Sequence, residues 1–413
     1  MNQMKRLATL FVFCLFIAAV MYQPARGHKV QPLEVYHQAW QLVKDNYYDG
    51  SFNGVKWAEL EHKYDNRIKT VDDAHKSIKD MLATLKDPYT RFLDPRAFQD
   101  ENDAIDAKIV GIGINLQLKD KRLIITRTIE DGPAERAGIK AGDEIVEIDS
   151  ANSVGITPEQ AAERIRGEIG TKVDLGVKHN PAAKVSKVTI MRREITIKSV
   201  SAKMLDGNIG YIQLVTFISN DAAHEFRQGL KKLAKADGIV IDLRDNPGGL
   251  LSNALDIADM LLEKGPIVST IGRQVRHTDI ATGAPVTHQP LVVLVDEESA
   301  SASEILASAL KDNGRAVLVG TKTYGKGLVQ EINKLPGGAA IHITVSRYLT
   351  PSGADINKVG VEPDVTVKVA SAPTGETKED VQLKTALQYM KEKLANLRDG
   401  LRTSSVSSGT MSH

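Results

Sequence analysis

Two short and almost uninterrupted apolar runs, 238–243 and Leu291–Val295, most restrict what this chain can fold into. A strand that is apolar on both faces must be buried on both, which is the condition of a parallel sheet held between helices. Around these runs lie stretches of helical spacing at 220–234, 251–262 and 303–310. Further strand-like runs occupy 209–217 and 316–319, and 328–335 and 340–349 face each other as a hairpin across Pro336-Gly337-Gly338. This alternation predicts an α/β core over 199–372, with helices covering the sheet. The chain has 413 residues, room for two or three domains of about 100–200 residues each.

The N-terminus reads as an export signal over 1–27. Lys5 and Arg6 precede an apolar run at 7–22, and Pro24-Ala25-Arg26-Gly27 offers small residues for cleavage. The run is 16 residues long, short of the roughly 18–20 that span a bilayer core, so an uncleaved anchor is the lesser alternative. The one cysteine, Cys14, lies inside this signal. A mature chain without it has no disulfide, thiol nucleophile or cysteine metal site. Such a protein fits the periplasm or cell envelope and must work without cytosolic ATP. With 53 Lys and Arg against 52 Asp and Glu, the net charge of +1 gives no argument for a nucleic-acid partner.

Residues 28–98 show helical spacing at Val35, Ala39, Leu42 and Val43, at Trp57, Leu60 and Tyr64, and at Ile78, Leu82 and Leu85. Asp87-Pro88 stops the last of these, because proline disfavours helix before it. No chemistry is visible in this region; it reads as a helical module or a dimerisation arm. From 99 to 198 the chain changes to short, glycine-punctuated strands, with a helix near 157–166 and strands at 172–178 and 187–191. Residues 373–413 hold a last helix, over 380–397, and a Ser, Thr and Gly-rich tail from 403 expected to be disordered.

Within 99–198, Gly132-Pro133-Ala134, Ala137-Gly138-Ile139, Gly142-Asp143 and Ile145 carry the hallmark of PDZ domains of the bacterial protease-associated type, which this segment resembles. PDZ domains hold a free C-terminus as an added strand, with loop N–H groups on the carboxylate. The resemblance implies that Gly111, Ile112, Gly113 and Ile114 form that loop, the two isoleucines lining a pocket for an apolar terminal side chain.

The chemistry concentrates where the second apolar run ends. Ser299-Ala300-Ser301-Ala302-Ser303-Glu304 crowds hydroxyls between a buried strand and a helix, where free N–H groups can stabilise an oxyanion. Ser301 to Glu304 also spells a capping box, a purely structural device. A serine hydroxyl needs a base. The ten histidines are scattered, and neither a Gly-x-Ser-x-Gly elbow nor a His-Glu-x-x-His metal motif occurs. Lysine can serve if burial lowers its pKa. Lys326 lies between Gly325 and Gly327 after a buried strand, and Gln330 four residues on can reach the same face. The competing reading is a solvated loop lysine. Gly320 to Lys326 also imitates a phosphate loop, but Gly327 stands where a Mg²⁺-binding Ser or Thr is required.

Taken together, Ser299 to Ile305, Gly320 to Gln330, Asp242 to Gly249, Thr350-Pro351-Ser352-Gly353 and Gly360 to Asp364 resemble the carboxyl-terminal processing peptidases, or tail-specific proteases. The resemblance covers nearly all of 30–397 and includes Asp87 to Phe92 at the entry to the PDZ segment. It implies an exported serine endopeptidase with a Clp protease/crotonase-like α/β core, needing no cofactor or metal. Ser301 would be the nucleophile and Lys326, 25 residues on, the base. Gln330 would support the lysine, and the N–H groups of Ala302 and one of Gly248 and Gly249, preferably Gly248, would form the oxyanion hole. Expected partners are proteins or peptides with accessible apolar C-termini. A homodimer through the terminal helices and a helper lipoprotein are left open. His179 stands where many relatives carry an arginine linked to PDZ gating, which puts that device in doubt here. The rival reading is a non-catalytic envelope adaptor or chaperone.

Overall fold

The computed structural model describes residues 30–368, apart from 107, 130, 181 and 197, and residues 379–407. The export segment 1–27 lies outside the described residues. Helices α1 (Pro32–Asn46) and α2 (Val71–Ala83) pack over a shared apolar core. Thr70 and Asp73 cap α2 with reciprocal hydrogen bonds. The helical pattern at Trp57, Leu60 and Tyr64 is realised as short 3₁₀ turns, Trp57–Leu60 and Asp65–Arg67. The reason lies in α1: Trp40 Nε1 takes the Trp57 carbonyl at 3.0 Å and the Tyr36 hydroxyl takes that of Leu60. Those side-chain donors share the carbonyls with the i→i+3 backbone bonds of the turns, the Lys63 N–H reaching the Leu60 carbonyl at 3.4 Å. After α2 come β1 (Arg91–Leu93) and α3 (Pro95–Ile105), the latter capped by Asp94.

The next region contains β2 (Lys108–Gly111), β3 (Ile114–Lys119), β4 (Arg122–Thr128), α4 (Pro133–Arg136), β5 (Glu144–Ile148), β6 (Ala151–Asn152), α5 (Pro158–Ile165), β7 (Lys172–Lys178), β8 (Ser186–Met191) and β9 (Arg193–Thr196). Its sheet runs β3-β4-β5-β7-β8, so β3 is an edge strand; β2 and β9 pair separately at the neck. The order and the capped α5 give the PDZ-like domain its shape.

The core comprises β10 (Val200–Leu205), β11 (Ile209–Leu214), α6 (Ala222–Lys232), β12 (Gly238–Asp242), α7 (Leu251–Leu261), β13 (Pro266–Gly272), β14 (Arg276–Ile280), β15 (Leu291–Val295), α8 (Ala302–Asp312), β16 (Ala316–Gly320), β17 (Leu328–Lys334), β18 (Ala340–Leu349), β19 (Val365–Thr366) and α9 (Val381–Ser407). The main sheet runs β10-β11-β12-β15-β16-β19 and is parallel from β11 onward. Strands β12 and β15 are buried along their whole length. Ile239, Ile241, Leu291, Val293 and Val295 pack with residues of α6, α7 and α8. The alternate residues Val240, Val292 and Leu294 pack with Ala386 and Met390 of α9. Both faces are covered, as the apolar runs require.

A second sheet, β1-β18-β13-β14 with β17 on β18, flanks the first. Leu335, Ala339, Ile341 and Ile343 share one apolar cluster with α1 and α2, so the N-terminal helices are built onto this sheet. Helix α9 runs to Ser407, through the first residues read as a disordered tail. No proline interrupts that stretch, and extending a formed helix is far easier than starting one. Phe226 of α6 is fully buried in the main core. Phe226→Ala is expected to destabilise the fold by about 3–5 kcal/mol, measurable as a lower urea midpoint at unchanged slope.

Candidate active site

Three neighbouring parallel strands, β12, β15 and β16, deliver the candidate residues to one edge of the sheet. Asn246-Pro247-Gly248-Gly249 follows β12, Ser301 follows β15 and Lys326 follows β16. The edge beyond the carboxyl ends of such strands is where open α/β sheets bind ligands.

The three serines of the run have different tasks. Ser299 Oγ donates to the Leu243 carbonyl at 2.8 Å, and Ser303 Oγ to the Asn246 carbonyl at 2.9 Å. Both fasten the start of α8 to the end of β12. Ser301 and Glu304 form a capping box at the first turn of α8, and the Glu304 N–H also reaches the Ser301 carbonyl at 2.9 Å. Among the described residues, the Ser301 hydroxyl donates to no protein group, unlike its two neighbours. Ser301 also has φ 55° and ψ −113°, a conformation costing a non-glycine residue about 1–3 kcal/mol. Capping alone needs no such strain, since an N-cap residue ordinarily lies in the extended region. The positive φ is a turn that presents a side chain, built here without the Gly-x-Ser-x-Gly pattern.

Around this turn the backbone is tight. A Cβ on Gly248 would lie 2.6 Å from the Ala300 carbonyl oxygen and 2.8 Å from Ser301 Cβ, and Gly248 itself has φ 97°. Among the described residues, the Ala302 N–H has no hydrogen-bond partner. The Gly248 N–H donates to Asn246 Oδ1 at 3.0 Å, whereas the Gly249 N–H is uncommitted. The geometry thus runs against the preference for Gly248: its donor is engaged by the Asn246 side chain, a detail that the Gly-Gly pair in the sequence does not disclose.

Lys326 shares a cleft of about 360 Å³ with Ser301, Ala302, Gly248 and Gln330. Its amine sits 5.1 Å from the centre of the Tyr89 ring and makes no hydrogen bond or ion pair among the described residues. Burial pushes its pKa below the ordinary 10.5, and the Arg91 guanidinium adds to the shift, while Glu101 and Glu304 oppose it. Gln330 Nε2 is buried without a hydrogen-bond partner. The Tyr348 hydroxyl donates to the Lys326 carbonyl at 2.7 Å and lies 3.2 Å from that of Ser301.

Residues unseen as chemical in the sequence complete the cleft: Tyr89, Arg91 and Glu101 from the N-terminal region, and His342 from β18. The Glu101 carboxylate lies 3.0 Å from His342 Nε2 and 3.5 Å from an Arg91 nitrogen. The His342 hydrogen bond holds the Glu101 pKa below the usual carboxylate range. Local pattern could not reveal these residues, because β1 and α3 meet the site only through pairing with β18.

A second concavity, about 680 Å³, lies between the edge strand β3 and helix α5, lined by Ile114, Leu116, Ala162 and Arg166 among others. An open strand edge beside a helix suits an added peptide strand. Of the residues expected to hold the terminus, Ile114 lines this groove. Ile112 is closed into the domain core at 2% exposure, so it does not form part of an open pocket. The carbonyls of Ile112 and Gly113 accept from Ala134 and Ile129, which fixes the loop against α4. His179 is paired with Asp143 of the same domain at 2.9 Å and does not line the cleft.

The phosphate-loop imitation at 320–326 is not realised. A strand, not a helix, follows Lys326, and the Gly325 and Lys326 N–H groups donate to Glu304.

A strained serine, a half-buried lysine and free backbone donors on an α/β core, joined to a PDZ-like domain, have the composition of a serine hydrolase site beside a tail-binding module. Comparison with known proteins places the chain more narrowly. The family described as Peptidase family S41 matches residues 208–367, the PDZ domain family residues 105–178, and the Tricorn protease C1 domain residues 29–83. The chain is 40% identical over 365 residues to the carboxyl-terminal-processing protease of Picosynechococcus sp., covering 86% of this chain and 88% of that one. It is 37% identical over 350 residues to the chloroplastic carboxyl-terminal-processing peptidase 3 of Arabidopsis thaliana, covering 79% and 67%. The solved photosystem II D1 C-terminal processing protease aligns at a TM-score of 0.59 and 32% identity, over 82% of this chain and 93% of that one. The chain belongs to the carboxyl-terminal processing peptidase family: it is a serine-type endopeptidase that recognises C-termini through its PDZ domain. The adaptor reading falls with this membership.

The lowered pKa of Lys326 has a thermodynamic consequence. The unfolded chain binds a proton at this amine up to about 10.5, the folded chain only at lower pH. This group therefore favours folding most above 10.5, and that contribution is lost as pH falls to the folded value. Lys326→Met is expected to raise Tm at pH 7 while abolishing peptide cleavage; a lower Tm would show that the amine is not held at a cost.

Proposed function

We propose that Ser301 and Lys326 form the catalytic dyad of an exported endopeptidase acting near protein C-termini. The carrying observation is that Ser301 alone of its serine run donates its hydroxyl hydrogen to no protein group among the described residues, in a strained turn sharing a cleft with a lysine of lowered pKa. The neutral amine takes the Ser301 proton as Oγ attacks the scissile carbonyl. A tetrahedral oxyanion forms against the Ala302 N–H and the glycine turn, where Gly249 offers a free donor and Gly248 one now shared with Asn246. The lysine then passes its proton to the departing amine, leaving an acyl-enzyme. Water, deprotonated by the same amine, attacks the acyl carbonyl; the bond to Ser301 Oγ breaks, the new C-terminus is freed, and the lysine returns the proton to Oγ. Gln330 would accept a hydrogen from Nζ through its amide oxygen and so aim the lone pair. Each oxyanion donor is worth about 10²–10³ in rate in other proteases.

The PDZ groove is proposed to receive apolar C-termini as a strand added to β3, beside Ile114 and Leu116. Export follows from the signal-like segment 1–27, and the periplasm or cell envelope is the compartment it fits. A homodimer and a helper lipoprotein belong to the same proposal.

Ser301→Ala and Lys326→Ala are each expected to lower cleavage of a C-terminally tagged protein by at least about 10³-fold at unchanged Tm or, for the lysine, higher Tm. Full activity of the serine variant rejects the assignment. In wild type, kcat/KM is expected to rise with pH along an acid limb below 10.5, as the buried amine loses its proton.

Ala162→Trp is expected to fill the groove. It should raise KM for tailed proteins about tenfold, roughly the loss of one good contact, with kcat unchanged. Equal KM values for both enzymes would separate tail binding from this groove.

A further inference from the structure

Glu304 is buried completely, yet no step of the chemistry above uses it. Its carboxylate is a four-way acceptor. Oε2 receives the Ser301 N–H and the Lys326 N–H, each at 2.9 Å. Oε1 receives the Gly325 N–H at 2.7 Å and the Thr323 hydroxyl at 2.5 Å. One oxygen thus joins the backbone of the candidate nucleophile to that of the candidate base. The two segments leave different strands, β15 and β16, and no covalent geometry sets their separation beyond the strand ends. Tyr348 makes the matching link through the carbonyls of the same two residues.

Helix capping does not require this arrangement. A capping-box glutamate at the third helical position needs only the N-cap N–H, and an exposed side chain serves as well. Here the carboxylate is desolvated and takes three further donors from a segment unrelated to the helix. Left unpaired in a dry interior, each of those donors would be destabilising. Their convergence binds residues 323–326 to the start of α8.

We propose that Glu304 is a positioning residue that sets the approach of Ser301 to Lys326 by holding both backbones on one carboxylate oxygen. It touches neither substrate nor the reacting atoms. The inference rests on the dyad proposed above. Its charge supplies a second signature. The Lys326 amine is faced by Arg91 from β1, Glu101 from α3, Tyr89 from the loop before β1 and Glu304 from α8, with His342 of β18 bound to Glu101 and Tyr348 of β18 bound to the Lys326 carbonyl. Among these, Glu304 and Glu101 hold the amine's pKa up. Removing the Glu304 charge therefore moves the lysine titration to lower pH.

Two variants divide the roles. Glu304→Gln keeps the length but removes the charge and puts an amide N–H among donors. Glu304→Asp keeps the charge but, one methylene shorter, cannot reach both segments. In the full-length protein, each is expected to lose about 10² in kcat, the scale of a misplacement near 1 Å, with KM within about threefold. The acid limb of kcat/KM should shift to lower pH in Glu304→Gln and stay in place in Glu304→Asp. Near-UV circular dichroism gives the folded fraction for normalisation. If Glu304→Gln does not fold, the kcat-against-KM split of Glu304→Asp decides. Wild-type kcat in Glu304→Asp, or losses matching only the unfolded fraction with no shift of the limb in the glutamine variant, overturn the proposal. Ser301→Ala and Lys326→Ala are run alongside: activity in those would reject the dyad itself, whereas inactive dyad variants beside normal Glu304 variants reject this inference alone.

Discussion

The site depends on the parallel pairing of β12, β15 and β16. Their register, with Ile241 opposite Val293 and Val293 opposite Leu318, ends all three strands at one edge. The glycine turn, Ser301 and Lys326 each follow one of these strands. The pairing survives because both faces of β15 are closed off from water, by α6 to α8 on one side and by α9 on the other. Burial of apolar area is worth about 25 cal/mol per Å², and it is non-directional; the ladder hydrogen bonds convert it into register. The geometry of the candidate site is inherited from that register before any polar side chain contributes.

At the strand ends, order has to come from elsewhere, and the polar residues there are mostly fasteners. Ser299 and Ser303 tie α8 to the β12 turn, and Asn246 Nδ2 ties that turn to the Leu214 carbonyl at 2.6 Å. Gly248 and Gly249 permit contacts no side chain would allow: a Cβ at 249 would lie 2.2 Å from the Ile218 nitrogen. The strain at Ser301 is held by this surrounding network, because a residue in a sparsely populated conformation stays there only when its neighbours leave no alternative. A hydroxyl that donates to no protein group and an amine without an ion pair are individually unfavourable. They persist together where the fold has been made rigid around them.

Much of this was legible in the sequence for definite reasons. The apolar runs on β12 and β15 can be satisfied only by a sheet covered on both faces, and the spacing of Ser301 and Lys326 spans one helix and one strand of that sheet. The PDZ signature is local, and its strands appear where expected. Three things were not legible. The shared capping motif of Ser301 and Glu304 reads the same whether Glu304 serves one helix or two segments, since its other donors come from residues 323–326. The hairpin of β13 and β14 lacks an apolar alternation strong enough to announce a second sheet; Arg276, His277 and Asp279 interrupt it. The charged wall of Arg91, Glu101 and His342 is assembled from segments some 240 positions apart, which no local period encodes.

That wall also draws on the N-terminal region. Read alone, residues 28–98 are helices with an apolar face, and an arm for dimerisation would use them equally well. Their burial against Ile341 and Ile343 shows that the face is already occupied by β18 of the same chain. What the module presents instead is its exit: Tyr89 and Arg91 enter the cleft, and α3 follows directly. Along α3, Glu101 faces the cleft, while its neighbour Asp100 pairs at 2.6 Å with Arg166, which lines the PDZ groove. Adjacent residues of one helix thus reach the groove and the cleft. Because a helix turns about 100° per residue, the two carboxylates diverge to separate faces without any break in the backbone. Helix α3 therefore carries one carboxylate to the wall of the tail-binding groove, through Arg166, and the next to the cleft that holds Ser301 and Lys326.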